Sequence, residues 1–228
     1  MILKRWEDLP DKLKTEAVKP YYDALCHKKG SLITKRIFDI IASAIMIIIL
    51  SPLLLIIGTL IKLDDEGPVF YRQVRVTQYG REFKIFKFRT MVIDAEKKGA
   101  QITSQSDPRI TKIGFKLRKY RLDEIPQLFN IFIGDMSFVG TRPEVKKYVN
   151  SYTDEMMATL LVPAGVTSEA SVMYKDESEI IGKACNVDEV YIERILPEKM
   201  KYNLAALRKF SIWQEFAMLF KTIVAVVR

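Results

Sequence analysis

The sequence has almost no histidine and little cysteine. His27 is the only histidine, beside Lys28 and Lys29 in a polar stretch. This excludes a mechanism built on a histidine general base, and equally a His-rich metal cluster. Cys26 and Cys185 are the only cysteines. They lie far apart and match no C-x-x-C pattern, which excludes a disulfide framework and a cysteine zinc site. Acid–base or nucleophilic chemistry must then come from Asp, Glu, Lys, Tyr or a lone Cys. Internal repeats and low-complexity stretches are missing too.

What is present is apolar bulk and positive charge. The chain has 228 residues, 49% of them apolar, enough for one sizeable domain with small appendages. Its net charge of +8 suggests anionic partners. The excess is local. Between Arg72 and Arg121 stand fourteen Lys or Arg against four acids, an excess larger than the whole chain's. Several alternate with apolar residues, as in Lys84-Ile85-Phe86-Lys87-Phe88-Arg89. Such a stretch suits nucleic acid, anionic lipid headgroups or a diphosphate. A solvated basic surface explains any single one of these residues. Beside an apolar anchor, the cluster favours phosphate.

That anchor is Ile40 to Ile61, 22 residues without a charge, long enough to span a bilayer as a helix. It starts about forty residues in and no A-x-A site follows, so it does not read as a signal peptide. Ser51-Pro52 stands in its middle, where proline removes a backbone donor. Each half is roughly 16 Å long at 1.5 Å per residue, about half the hydrocarbon thickness. Lys28, Lys29, Lys35 and Arg36 precede the run, and Lys62, Arg72, Arg75 and Arg81 follow it. Both flanks therefore favour the cytoplasm. A helix that enters, breaks at Ser51-Pro52 and returns satisfies both; a kinked spanning helix is the alternative. Asp39 precedes the run, and Arg36 stands at the spacing of a helical ion pair.

Elsewhere, residues 1–34 are polar and predict short amphipathic helices near a membrane surface. VFYRQVRV and EFKIFKF alternate as the strands of a hairpin, between Gly67-Pro68 and Met91. Val92 to Lys98 is predicted helical. Asp107-Pro108 resembles a helix start, and Ile110, Ile113, Leu117 and Tyr120 keep helical spacing up to Ile125, before Pro126. Residues 128–139 belong to the core and turn at Gly134-Asp135. Pro143-Glu144 can open a helix. Residues 153–180 are irregular, with Pro163-Ala164-Gly165 as a loop. The tail from Pro197 to Arg228 is one helix, with Trp213, Lys221 and Arg228 suited to a membrane interface.

Asp123 and Glu124 end a strongly basic predicted helix. Carboxylates at a helix C-terminus are disfavoured by about a few tenths of a kcal/mol each. Arg118, Lys119 and Arg121, or a bound divalent cation, would offset that. An ordinary surface pair at a helix end explains the spacing equally well.

Several motifs appear in a fixed order. They are KRIFD, the apolar run with Ser51-Pro52, GPVFYRQVRV, KIFKFRTM, DPRITKIGFKLRKYRLDEIPQLFNI, GDMSFVGTRPE and PAGVT. Together they resemble the bacterial sugar transferase family, the monotopic polyprenyl-phosphate phosphoglycosyl transferases of glycan assembly, from about Lys35 to Arg228. The resemblance implies an α+β, mostly helical fold. Residues 1–34 would be a polar appendage and 35–63 a re-entrant membrane helix–break–helix at Ser51 and Pro52. Residues 64–228 would form a domain on the cytoplasmic face of the bacterial inner membrane, with a short β-hairpin and amphipathic interfacial helices.

The implied reaction moves a sugar-1-phosphate from a UDP-sugar to polyprenyl phosphate and releases UMP. Asp123 would be the nucleophile that carries the phospho-sugar, and Glu124 the ligand of a required Mg²⁺. Arg118 and Arg142 match positions near the phosphates and nucleotide; Lys87, Arg89 and Arg121 join them as phosphate-binding candidates. The implied partners are UDP-sugar, polyprenyl phosphate and the bilayer, with no nucleic acid; a homodimer is left open. Two departures bear on the substrate. Thr141-Arg142-Pro143 replaces the common Pro-Arg-Pro, and Ser168-Glu169-Ala170-Ser171 follows PAGVT, so the sugar cannot be carried over. The rival from another class is a non-catalytic basic membrane-associated binding protein.

Overall fold

The computed structural model describes residues 3–95, 107–174 and 187–227. Its dominant element follows a short helix, α1 (Lys19–Cys26). This is α2 (Lys29–Asp64), 36 residues long and continuous through Pro52. The expected break into two elements does not occur. Proline offers no amide to the carbonyl of Ile48. The Ser51 hydroxyl donates to that carbonyl instead, at 2.8 Å. The serine thus satisfies the acceptor that its neighbour leaves open.

One stripe of α2 faces the rest of the protein, buried towards its two ends and half-buried in the middle. Leu32, Lys35, Asp39 and Ser43 are buried before the proline, and Ile57 and Ile61 after it. Ile47 and Leu50 pack on a core of Phe83, Ile85, Leu128, Ile131 and Met136. Leu53 and Leu54 join Phe88 and Leu117 in a neighbouring core. The opposite face exposes Ile41, Ile45, Ile48, Ile49, Leu55, Ile56 and Leu63. Among the described residues α2 is the one helix long and apolar enough to cross a membrane.

Strands β1 (Phe70–Val76) and β2 (Glu82–Phe88) form the expected antiparallel hairpin, with Tyr71 opposite Lys87 and Gln73 opposite Ile85. The expected helix after Val92 is absent in its described part, which turns at Asp94; residues 96–98 lie outside the described residues. Helix α3 (Lys112–Lys119) starts later than Asp107-Pro108 suggests. Thr111 caps it, its hydroxyl accepting from the Gly114 amide at 3.0 Å. Helix α4 (Gln127–Ile133) follows Pro126 and ends on Gly134, whose φ of +97° suits glycine at a helix end. Buried Asn130 ties α4 to β2: its Oδ1 accepts from the Phe86 amide at 2.7 Å and its Nδ2 donates to the Lys84 carbonyl at 3.1 Å.

A second sheet was not expected. Strand β3 (Met136–Val139) pairs in parallel with β4 (Ala164–Thr167), around the short helix α5 (Lys146–Val149). The stretch expected as a loop is therefore a strand. Gly140 and Gly165 make the pairing possible, since a Cβ on Gly165 would lie 2.1 Å from the Gly140 nitrogen. Helix α6 (Glu169–Met173) then leads on to α7 (Val187–Val190), which passes through a π-helical turn at Tyr191–Ile195 into α8 (Leu196–Arg208). The tail is two helices rather than one, because α9 (Ile212–Val227) begins after a turn at Lys209. Trp213, Phe220 and Ile223 remain exposed on α9.

The N-terminal stretch is not a surface appendage. Leu3, Leu9, Leu13, Val18, Tyr21, Tyr22 and Leu25 form a core with Leu160, Leu161, Leu204, Leu207 and Phe210. Its polar average hid apolar residues that fold inward.

Candidate functional site

The carboxylate pair does not end a helix. α3 stops at Lys119, and Arg121 then takes a left-handed conformation, φ +57°. A single 3₁₀ turn, Leu122–Glu124, carries both acids into Pro126 and α4. The unfavourable helix end expected beneath them is thus replaced by the entry to a new helix.

The two side chains face different surroundings. Asp123 lines a cavity of about 510 Å³ with Lys87, Arg89, Arg109, Arg118 and the β1 residues Tyr71, Gln73 and Arg75. Glu124 sits between two cations. Its Oε1 accepts from Lys87 Nζ at 2.7 Å and from Arg142 Nη2 at 2.9 Å. Burial, and then the neighbouring Glu124 charge, push the Asp123 carboxyl up. Burial alone would raise Glu124 too, but Arg142 and Lys87 outweigh it and hold that carboxyl well below its usual range. Lys87 is pulled down by burial, against the opposing pull of Glu124.

The other candidates divide. Arg118 lines the cavity and donates from Nε to Thr90 Oγ1 at 2.9 Å. Arg89 is almost buried, and its guanidinium holds the end of α2: it donates to the carbonyls of Asp65 and Glu66 at 2.7 Å each and pairs with the Asp65 carboxylate at 3.0 Å. Arg121 is exposed and does not line the cavity. Ser51 and Pro52 lie on α2, away from this cavity. Ser168 and Glu169 line a different cavity, between α8 and α9.

Asp39 does not form the simple ion pair its spacing suggests. Its carboxylate accepts from Ser137 Oγ at 2.8 Å and from the Phe138 amide at 3.2 Å. Arg36 donates instead to the carbonyls of Ile131 and Phe132, at 2.6 and 2.9 Å. Both residues clamp α2 to the layer that carries the acids.

Some cavity residues were not singled out from sequence. Tyr71, Gln73 and Arg75 alternate onto one strand face, and that period was the available signal. Behind them, buried Glu144 accepts from the Tyr191 hydroxyl at 2.5 Å, with Arg75 and Lys199 each 3.9 Å away. Nothing in the spacing of these residues predicted that cluster.

Comparison with known proteins places the chain. The family model described as bacterial sugar transferase matches residues 30–228. An N-acetylgalactosaminephosphotransferase of Aeromonas hydrophila, named for UDP-N-acetylgalactosamine and undecaprenyl phosphate, is 38% identical over 83% of this chain and 42% of its own length. The UDP-glucose:undecaprenyl-phosphate glucose-1-phosphate transferase of Escherichia coli K12 is 30% identical over 90% of this chain and 42% of its length. The exopolysaccharide production protein ExoY of Rhizobium meliloti is 32% identical over 84% of each. The chain thus spans about two-fifths of the length of several curated relatives. With a family match over nearly the whole chain, it belongs to the bacterial sugar transferase family.

Proposed function

We propose that this chain transfers a sugar-1-phosphate from a UDP-sugar to undecaprenyl phosphate at the cytoplasmic face of the inner membrane. The observation that carries this reading is the contrast between the two adjacent acids. Asp123 faces a cation-lined cavity of a size that suits a nucleotide-sugar. Glu124 stands beside it, fixed and ionised between Lys87 and Arg142. The names of the relatives supply the substrate classes.

In this reading an Asp123 oxygen attacks the sugar-bearing phosphorus. The bond from that phosphorus to the bridging oxygen breaks and UMP leaves. A phosphate oxygen of the lipid then attacks the phospho-aspartyl group and frees the carboxylate. A carboxylate is a weak nucleophile towards a polyanion unless the charge is neutralised. Lys87 and Arg118 supply part of that neutralisation. Among the described residues no three Asp, Glu, His or Cys side chains gather into a metal cage. A magnesium ion held by one or two carboxylates and the substrate's own phosphates needs no cage, and Asp123 with Glu124 fits that donor set. Bound there, the ion would neutralise phosphate charge.

The membrane reading is that α2, helical throughout, bends at Pro52 and so enters and leaves through one leaflet. Its buried stripe runs on both sides of Ser51-Pro52, against one body. A helix crossing the bilayer would carry its middle away from that body. The exposed apolar face would meet lipid tails, and the exposed aromatics of α9 the interface.

Asp123→Asn tests the chemistry. UMP release from UDP-sugar with undecaprenyl phosphate should vanish, and full activity would remove Asp123 from the reaction. Gly30→Cys and Glu66→Cys test the topology by reagent accessibility. Both should label from the cytoplasmic side; labelling from opposite sides would establish a crossing.

A further inference from the structure

We propose that Gln73 reads the donor substrate. Its side-chain amide nitrogen donates a hydrogen bond to a neutral acceptor oxygen on the base or the sugar. This rests on the nucleotide-sugar reading above.

Gln73 and Arg75 lie two apart on β1, and both line the cavity that holds Asp123. Arg75 donates from Nε at 2.9 Å and from Nη2 at 2.6 Å to Gln73 Oε1. A guanidinium has donors only, so the glutamine must turn its oxygen towards it. That fixes which end of the amide looks the other way. The Gln73 nitrogen makes no hydrogen bond with any described residue, so its two N–H groups are available to a ligand.

Arg75 is itself held from behind. Its Nη1 donates to the Pro143 carbonyl at 3.2 Å and lies 3.9 Å from Glu144 Oε2. Glu144 is 7% exposed and accepts from the Tyr191 hydroxyl. Lys199 donates to that hydroxyl at 3.1 Å. This group of charges is costly to bury. What it does is hold the guanidinium fork that orients Gln73.

The chemistry of the cavity wall separates two tasks. Lys87 and Arg118 are cations suited to a diphosphate, whereas the Arg109 fork is already held by the Asp107 carboxylate and the Ala95 carbonyl. Gln73 presents a neutral N–H, suited to a uracil carbonyl, a sugar hydroxyl or an acetamido oxygen. A site built to satisfy a substrate's polar atom loses transition-state binding when the partner is removed.

The test compares wild type, Gln73→Glu and Tyr191→Phe. UMP release is measured with UDP-glucose, UDP-galactose and UDP-N-acetylgalactosamine, with undecaprenyl phosphate as acceptor. Gln73→Glu keeps an oxygen for Arg75, and hence the fold, but has no N–H to offer. Its kcat/KM should fall about 10- to 100-fold. A fall confined to some donors assigns the contact to the sugar group in which they differ; an equal fall assigns it to the base or to a sugar oxygen that the three donors share. Tyr191→Phe should raise KM severalfold with kcat unchanged, as loss of orientation requires. A Gln73→Glu protein within twofold of wild type on every donor overturns the proposal. Wild-type protein that releases no UMP from any donor sinks the transferase reading, and this inference with it.

Discussion

Replacing Asp39 by alanine should loosen α2 from the layer that carries the acids. Asp39 is 1% exposed and receives two hydrogen bonds from β3, at 2.8 Å from Ser137 and 3.2 Å from Phe138. Hydrogen bonds to a charged acceptor contribute about 1.5–3 kcal/mol each. The second is long, so the loss should be about 3–5 kcal/mol. Lys35 keeps the Val139 carbonyl at 2.8 Å and its pairing with Glu215, and loses only the attraction of the Asp39 charge. For a chain of this size, each kcal/mol moves the melting temperature by about 2–4 °C. Asp39→Ala should therefore melt about 10 °C lower in a fixed detergent. Ser137→Ala should lose at least half of that, about one hydrogen bond's worth. The double variant should fall short of the sum of the two single effects, because both remove one contact. An exposed Arg36–Asp39 helical pair would contribute only about 0.5 kcal/mol. A drop under about 2 °C for Asp39→Ala, or strict additivity with Ser137→Ala, would refute the clamp.

Other consequences are more direct. Gly165→Ala should prevent the β3–β4 pairing, since its Cβ would stand 2.1 Å from the Gly140 backbone nitrogen; an alanine variant that folds with unchanged melting would contradict the close approach. Asp123 must be ionised to attack, and its carboxyl is raised by burial and by Glu124. UMP release should therefore fail, as pH drops, at a higher pH than an ordinary carboxylate would set. Lys87 opposes that rise, so Lys87→Met should move the acid limb further up; movement in the other direction would show that a different group sets it. Chelation by EDTA should abolish UMP release yet leave melting unchanged, because the described residues form no metal cage. A loss of several degrees on chelation would place a metal in the fold itself.

How much of this was legible beforehand depends on how local the signal was. The hairpin followed from alternation within Phe70–Val76 and Glu82–Phe88, and the structure pairs those residues. The apolar run was legible as a helix, but its continuity was not. Proline signals a lost hydrogen bond, whereas the Ser51 hydroxyl that meets Ile48 is a matter of rotamer. The N-terminal stretch misled because charge dominates its average, while the seven apolar residues that reach the core are spread over twenty-three positions. The β3–β4 pair escaped because a parallel partner lies some 28 residues away, beyond any window of periodicity. Arg89 was grouped with the phosphate-binding cations by charge alone, and charge does not reveal that its fork is already spent on Asp65 and Glu66.

The acid pair shows where such reading ends and why. Asp123 and Glu124 are neighbours in sequence, so composition, charge and helix position treat them alike. Their difference comes from elsewhere in the chain. Lys87 reaches Glu124 from 37 residues upstream, and Arg142 from 18 residues downstream. Without both, burial would raise Glu124 as it raises Asp123. A pair of alike, raised carboxyls would share protons and offer neither a dependable anion nor a distinct nucleophile. With both cations on one acid, Glu124 keeps its charge, and that charge helps to hold its neighbour's carboxyl up. The asymmetry is therefore built by the hairpin and by the loop after β3, which meet at a turn that neither of them contains. Changing Arg142 should accordingly act on Asp123 as well: Arg142→Gln removes a cation from Glu124, raises that carboxyl, and weakens the repulsion that lifts Asp123.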